Sequence, residues 1–396
     1  MTHQARAVGG PLLTRPFTVL LGVLAAWFVL LIWRFGAGIG AVSALTDGYP
    51  WGIWIAFDVV TGTALACGGY AVAILAYILN KGQYHPLVRP ALLTSALGYS
   101  MAALAIVIDV GRPWFIWKIP IGGIPGVWHY NWDSALLEVA LCVMAYVGVL
   151  WIELSPAFME KWKDSAKAQW LRSFSAAGLK FFDKALIWIV ALGLLLPTMH
   201  QSSLGTVMLL AGWKLHPLWN SAMIPLLFLI SCVGMGYGVV VLESAVSSRV
   251  FKRQRETSML VSLSGAMVIV LIAYSVLRLA DLVIQGRLAL MFRPDMYTVL
   301  FWIEMALFIV PAVMLLRSKS FQTVLRAAIL MLLGGAMYRF DAYIAAYNPG
   351  SNWAYFPSVP ELLITVGVIA LEITMYIVIV KRFPILAGGE PAVSTR

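Results

Sequence analysis

The sequence predicts an all-α integral membrane protein of about ten transmembrane helices. Of its 396 residues, 61% are hydrophobic and only 12% are charged, and the mean hydropathy is +0.87. A soluble core cannot hide that much apolar surface, whereas a bilayer can. The apolar residues gather in runs of near-spanning length that show no strand-like alternation. In lipid only a helix satisfies its own backbone groups without closing into a barrel, which leaves a helical bundle.

In order, the runs are Phe17–Arg34, Ile53–Leu79, Ala91–Asp109, Asp133–Leu154, Ala185–Leu210, Ala222–Glu243, Met259–Ile284, Tyr297–Leu316, Val324–Tyr347 and Glu361–Val380. The first lacks a small-residue cleavage site and reads as an uncleaved span. A weak repeat organises the middle of the chain. LLEVAL around Glu138 resembles FWIEMAL around Glu304, and LLLPTMHQSS around His200 resembles MLLGGAMYRFDA around Tyr338. Asp109, near the end of the third span, is echoed by Asp281 near the end of the seventh. The matches run in one direction and pair spans two to five with spans six to nine. Two four-helix bundles flanked by spans 1 and 10 follow. The corresponding units are a tail and first span over 1–50, bundles over 51–211 and 212–358, and a last span and tail over 359–396.

The net charge of +10 would suit a nucleic-acid partner, but its distribution argues otherwise. Both ends and the even connections share one side, and most of the 28 basic residues lie there, including Lys161, Lys163, Lys167, Arg249, Arg253 and Arg382. That asymmetry places both termini in the cytoplasm of a bacterial inner membrane, beside an anionic leaflet. The longest connection on this side, Ser155–Asp183, has a Lys, Trp and Phe pattern that predicts an amphipathic helix lying on the membrane.

The opposite connections are richer in Pro, Gly and Trp. They are GYPWGIW (Gly48–Trp54), the long loop Asp109–Asp133, GWKLHPLWNS (Gly212–Ser221), GRLALMFRPDMY (Gly286–Tyr297) and NPGSNWAYFPSVPE (Asn348–Glu361). An interfacial aromatic belt accounts for about half of the aromatics. The rest of the pattern points to ordered loops that dock another subunit.

Ionisable residues crowd the same half of the spans: Asp58, Asp109, Asp133, Glu138, His200, Arg278, Asp281, Glu304, Arg339, Asp341 and Glu361. Glu153, Glu243 and Glu372 are the exceptions. A charge at the bilayer centre costs about 2.5–3.5 kcal/mol, so such residues line cavities or functional paths, or pair off structurally. Arg278 with Asp281, and Arg112 with Asp109, are the obvious structural pairs. Cys67, Cys142 and Cys232 lie singly in apolar runs, so no iron–sulfur or metal site is expected in this chain.

Transmembrane haem held by two facing histidines needs two in the spans. Of the five histidines only His200 is inside one, so no haem is expected. A quinone site fits better. It needs a lipid-accessible slot, apolar walls, hydrogen-bonding groups for the ring oxygens and a proton supply. His200 is the best single candidate, with Gln201, Ser202 and Ser203 after it and Pro197 loosening its helix. Asp109 and Arg112 form an opposite wall, and Tyr99 a relay or packing group. Asp58, Glu138 and Glu304 are buried-acid proton carriers by position, and Glu243 a start for an inward path or a snorkelling helix-end charge.

PWGIWIAFD, DVGRP (Asp109–Pro113), LLEVAL and PTMHQSSLG together resemble the polysulfide-reductase membrane-subunit family, often called NrfD or PsrC-like. Within it, the ten spans and HQSSLG are most similar to the membrane subunit of a periplasmic nickel–iron hydrogenase. The resemblance covers nearly the whole chain. It implies two four-helix bundles, no haem, and a site for menaquinone or ubiquinone near the outer face. It also implies a ferredoxin-like iron–sulfur subunit docked on the outer loops, with hydrogenase small and large subunits beyond. Proton transfer in the family carries over here to Glu138, His200 and Glu243.

The resulting reading is a membrane anchor and quinone-reactive subunit of a respiratory hydrogenase, not catalytic alone. Its quinone contacts are Asp109, Arg112, His200, Tyr99 and Asp58. An ion transporter, a purely structural anchor, or the quinone-reactive subunit of a molybdenum-type reductase are the alternatives. The repeat and the buried acids support the transporter, but transporter repeats are often inverted and these run the same way.

Overall fold

The computed structural model describes residues 5–124 and 127–387. Among them are ten helices long and apolar enough to cross a membrane. They are α1 (Arg15–Ala37), α2 (Trp54–Ile78), α3 (His85–Asp109), α4 (Ala135–Ser165), α5 (Gln169–Leu210), α6 (Ile224–Val250), α7 (Thr257–Ile284), α8 (Met296–Arg317), α9 (Phe321–Ala345) and α10 (Val359–Arg382). The chain is a multi-pass membrane protein. Several starts are set by side-chain caps: Ser134 accepts from Leu137 N, Asp295 from Thr298 N and Ser320 from Thr323 N. Ser358 and Glu361 form a reciprocal capping box at α10.

Packing runs around two rings. Helix α2 meets α3, α3 meets α4, α4 meets α5 and α5 returns to α2. Likewise α6 meets α7, α7 meets α8, α8 meets α9 and α9 returns to α6. Helices α2, α5, α6 and α9 join the rings, while α1 packs on α10 and α10 on α3. Small residues let the seam close. A Cβ on Gly236 of α6 would sit 2.5 Å from the Cys67 carbonyl oxygen and 2.7 Å from the Ala71 Cβ of α2.

Two features differ from expectation. Residues 155–183 do not form a separate helix between the spans. Helix α4 runs on to Ser165 and α5 starts at Gln169, so they form one long antiparallel hairpin. At 1.5 Å per residue, 42 residues make α5 about 63 Å long, roughly twice the hydrocarbon thickness. Small residues hold the hairpin together, with Gly178 against the Met159 side chain and Ser175 fully buried, while Trp170, Phe174 and Phe181 stay exposed.

The second feature is α2. It is π-helical over Trp54–Thr61 and Ile74–Ile78, with an interruption at Ala66–Cys67. Helix α9 ends in another π turn, Asp341–Ala345. Such turns release backbone carbonyls from the regular ladder. No proline lies in either stretch. The chain ends meet on one side, where Ala5–Arg6 pairs antiparallel with Leu386–Ala387.

Candidate functional site

The polar centre sits where α2, α5, α6 and α9 meet. Thr63, released by the irregular α2, donates its hydroxyl proton to the Val59 carbonyl at 2.6 Å. Its oxygen then accepts from Gln201 Nε2 at 3.0 Å and from His200 Nε2 at 3.2 Å. Because the Thr63 proton is committed, His200 must carry its own proton on Nε2. Its Nδ1 is left as a bare acceptor, fully buried and without a partner. The Tyr99 ring packs edge-on against His200 at 5.5 Å, and Tyr146 against Tyr99 at 4.5 Å.

Arg339 closes the network. Its Nη2 donates to Gln201 Oε1 and to the Phe228 carbonyl, both at 3.0 Å. Nε donates to the Val60 carbonyl at 3.1 Å, and Nη1 to Ser231 Oγ at 3.0 Å. The ion pairs among the described residues are Arg89–Glu160, Arg253–Glu256 and Arg278–Glu304. Arg339 is therefore a fully buried cation held by dipoles, with no carboxylate partner. It was read from the sequence as a buried charge but not as part of the site. Its signal was the repeat, which sets Met337–Tyr338–Arg339 opposite Met199–His200–Gln201.

Toward the end of the bundle opposite the chain ends lie two further clusters. Glu304 accepts from Trp219 Nε1 at 2.9 Å, Tyr274 Oη at 2.8 Å and Arg278 Nε at 3.2 Å. The expected Arg278–Asp281 pair does not form. Arg278 turns inward to Glu304 and the Leu218 carbonyl, while Asp281 accepts from Gln285 Nε2 at 2.7 Å. In the other cluster Glu361 accepts from Tyr355 Oη, Ala44 N and Ser358 N.

The predicted site residues divide into groups. His200 and Tyr99 are together at the centre. Asp58, on the same helix as Thr63, accepts from Thr365 Oγ1 at 2.9 Å. Asp109 lies ten residues beyond Tyr99 on α3, about 15 Å by helix rise. Arg112 is exposed and forms no pair with it. Arg34 of α1 occupies that position instead, donating to the carbonyls of Ile108 at 2.7 Å and Val110 at 2.8 Å. Glu138 is exposed on α4. Glu243 is at the far end of α6, hydrogen-bonded by Tyr376.

The loops opposite the chain ends fold over one another. Leu215 pairs with Tyr347, Asn348 N donates to the Lys214 carbonyl at 2.7 Å, and His216 stacks on Tyr297 at 4.1 Å. Burial pushes the His216 imidazole below its ordinary value, against the pull of Asp295. Burial pushes the Tyr355 phenol up. Between these loops a cleft of about 420 Å³ opens, lined by Trp51, Asp133, Ser134, Val207, Trp213 and Tyr347 among others. Its floor at Val207 is two helical turns above His200. Tyr343 links the two levels, its backbone carbonyl bonded to Trp51 Nε1 and its hydroxyl to the Leu204 carbonyl. No group of metal-holding side chains occurs among the described residues.

Fold and site define a class: a multi-pass helical membrane protein with a buried, histidine-centred polar core beneath ordered loops. The family model described as Polysulphide reductase, NrfD matches residues 41–348, and the chain belongs to that family. A protein of Escherichia coli (strain K12) named probable Ni/Fe-hydrogenase 2 b-type cytochrome subunit is 42% identical over 395 residues, 98% of this chain and 96% of its own. Another from Nitratidesulfovibrio vulgaris (strain Hildenborough) is 33% identical over 388 residues, 94% of this chain and 95% of its own. The menaquinone reductase integral membrane subunit of the same organism is 29% identical over 270 residues, 66% of this chain and 59% of its own.

One expectation is overturned here. The name b-type cytochrome subunit points to haem, against the expected absence of haem. The expectation counted histidines and required two ligands from the spans of this chain alone. Haem iron can also be held by one histidine. His200, whose Nδ1 is unpartnered in the core, is the residue that would hold such a group.

Proposed function

We propose that this chain is the membrane anchor and quinone-reactive subunit of a respiratory hydrogenase-type complex. The names of its relatives, a hydrogenase subunit and a menaquinone reductase subunit, support that reading. The observation that carries it is the fully buried His200–Thr63–Gln201–Arg339 centre beneath the 420 Å³ cleft. The chain ends face the cytoplasm of a bacterial inner membrane, as the basic side requires. The interlocked outer loops dock an iron–sulfur partner, and hydrogenase small and large subunits lie beyond it. The two four-helix bundles, 51–211 and 212–358, are its working units.

Two electrons arriving from the partner and two protons convert a quinone, menaquinone or ubiquinone, to quinol. The ring takes the cleft, with Trp51 and Tyr347 as aromatic walls. His200 holds a proton on Nε2 that it can give up, and its Nδ1 can take one as that proton leaves, so the ring passes a proton without adding positive charge beside Arg339. Arg339 favours negative charge added nearby, because no carboxylate neutralises it. Asp58 on α2, Asp109 at the end of α3 and Arg112 in the loop after it modulate the site, and Glu138 and Glu243 exchange protons at the periphery. Were His200 to hold a haem instead, the haem would supply one-electron transfer and Nδ1 would no longer be free to take a proton.

His200→Ala in the intact complex tests the reading. Quinone-linked oxidation of the partner's substrate should fall at least about a hundredfold while dye-linked oxidation persists. Unchanged quinone turnover in that variant would sink it.

A further inference from the structure

The cleft between the interlocked loops has apolar and aromatic walls and a single kind of cation. Trp51, Val207, Leu210 and Tyr347 supply the walls, and Lys214 is the basic residue of the lining. Lys214 ends the short 3-10 turn Gly212–Lys214 that follows α5. Both of its backbone groups are tied. Its N–H donates to the Ala211 carbonyl at 2.9 Å, and its carbonyl accepts from Asn348 N at 2.7 Å. The next residue, Leu215, pairs with Tyr347. The side chain therefore starts from a fixed point on the seam of two loops.

Two rings hold its charge. Nζ lies 4.8 Å from the centre of the Trp213 ring and 5.6 Å from that of Tyr347. Tyr347 is buried, so a cation over its ring sits at the cleft wall. An aromatic face attracts an ammonium but supplies no oxygen for its three N–H donors. No carboxylate pairs with Lys214 among the described residues, although Asp133 lines the same cleft. Lys118, in the loop Asp109–Asp133, gives the contrast. Its Nζ sits 4.5 Å from the Phe115 ring and 4.9 Å from the Trp128 ring, but it takes no part in lining the cleft.

We propose that Lys214 is a substrate-contacting residue, donating a hydrogen bond from Nζ to one ring oxygen of the quinone in the cleft. This inference rests on the quinone-reducing function above. Lysine has donors and no acceptor, so it pairs with a carbonyl oxygen, the group that the oxidised ring carries and the quinol has lost. As electrons reach the ring, negative charge gathers on its oxygens. An ammonium already in place, part-shielded from water by Trp213 and Tyr347, stabilises that charge more than it stabilises the neutral ring. Lys214 thus favours the oxidised ligand in binding and the charged ring in reduction. Its own proton stays on Nζ throughout, and no covalent bond forms or breaks at this residue.

The test uses the whole complex with a short-chain quinone as acceptor, and compares Lys214→Met, Lys214→Arg and, as a loop control, Lys118→Met. Dye-linked oxidation and co-purification of the partners check that each variant assembles. Lys214→Met should raise the quinone KM and lower kcat/KM about ten- to a hundredfold, the range for losing a hydrogen bond from a charged group. Direct binding should show that it weakens quinone more than quinol. Lys214→Arg keeps charge and donors and should recover most of the loss, while Lys118→Met should match wild type. Wild-type quinone kinetics in Lys214→Met, an equal loss in Lys118→Met, or no rescue by Lys214→Arg overturns the assignment and leaves the functional reading standing. Loss of the partners from Lys214→Met would make it a docking residue and overturns the assignment too. A wild-type complex that reduces no quinone overturns both.

Discussion

Gln201 Oε1 accepts a hydrogen bond from Arg339 Nη2 at 3.0 Å across the seam between the two helix rings. The two residues follow Met-His and Met-Tyr at matching places in the internal repeat. The repeat thus brings its own equivalent positions face to face. The result is a fixed positive charge beside a fully buried histidine, held without a counter-ion.

Gln201 is the link between Thr63 and Arg339, so Gln201→Leu should leave a guanidinium N–H without an acceptor. Leaving one buried polar group unsatisfied costs about 1–3 kcal/mol, more for a charged one. Denaturation of the purified protein in detergent should show a loss of that size. Unchanged stability would mean that Arg339 finds another acceptor.

Glu304 and Glu138 make a paired comparison. Glu304 is fully buried against Arg278, Tyr274 and Trp219, whereas Glu138 is exposed. Breaking a buried ion pair by removing one partner costs about 3–5 kcal/mol. An exposed substitution is usually within about 0.5 kcal/mol of neutral. Glu304→Gln should therefore unfold at much lower temperature than Glu138→Gln in the same detergent. Equal melting of the two variants would remove the ion-pair argument.

Gly236→Ala should weaken the seam, because its Cβ would meet backbone of α2 at 2.5 Å and neither helix can yield cheaply. Overpacking of this kind costs about 1–3 kcal/mol. Gly265→Ala on α7 meets nothing within 4 Å and should stabilise by up to about 1 kcal/mol through helix propensity. Thermal melts of the two variants should shift in opposite directions.

The loops opposite the chain ends should loosen in acid. Burial holds the folded His216 value below its unfolded one near 6.5, so the unfolded loop binds more protons just below that pH. Stability from this residue is present above about pH 6.5 and is lost as pH falls toward the folded value. Asp295 is held below its ordinary range by the Thr298 amide, so its contribution fails only at lower pH, through its own folded value. Amide exchange at 212–221 should quicken between neutral pH and mildly acidic pH, and His216→Gln should flatten that change.

The spans were legible because lipid leaves the backbone no choice. A run such as Thr257–Ile284 must be helical once it is apolar and long enough, and the expected Met259–Ile284 lies within it. His200 was legible as well, since a histidine in an apolar run invites attention wherever its ring points. The length of α5 was not. Hydropathy marks only the part in lipid, and the rest is held by packing against α4.

From its order of residues alone, the chain determined ten spans, their shared direction of repeat and the crowding of charge toward one half. Only the tertiary structure decided which charges are paired. Hydrophobic patterning fixes that a helix forms, but the rotation of each helix depends on side chains from its neighbours. Arg278 therefore turned from Asp281 to Glu304, and Arg34 of α1 took the place beside Asp109 where Arg112 was expected. The first π stretch of α2 was decided in the same way, with carbonyls that Thr61, Thr63 and Arg339 engage from the side.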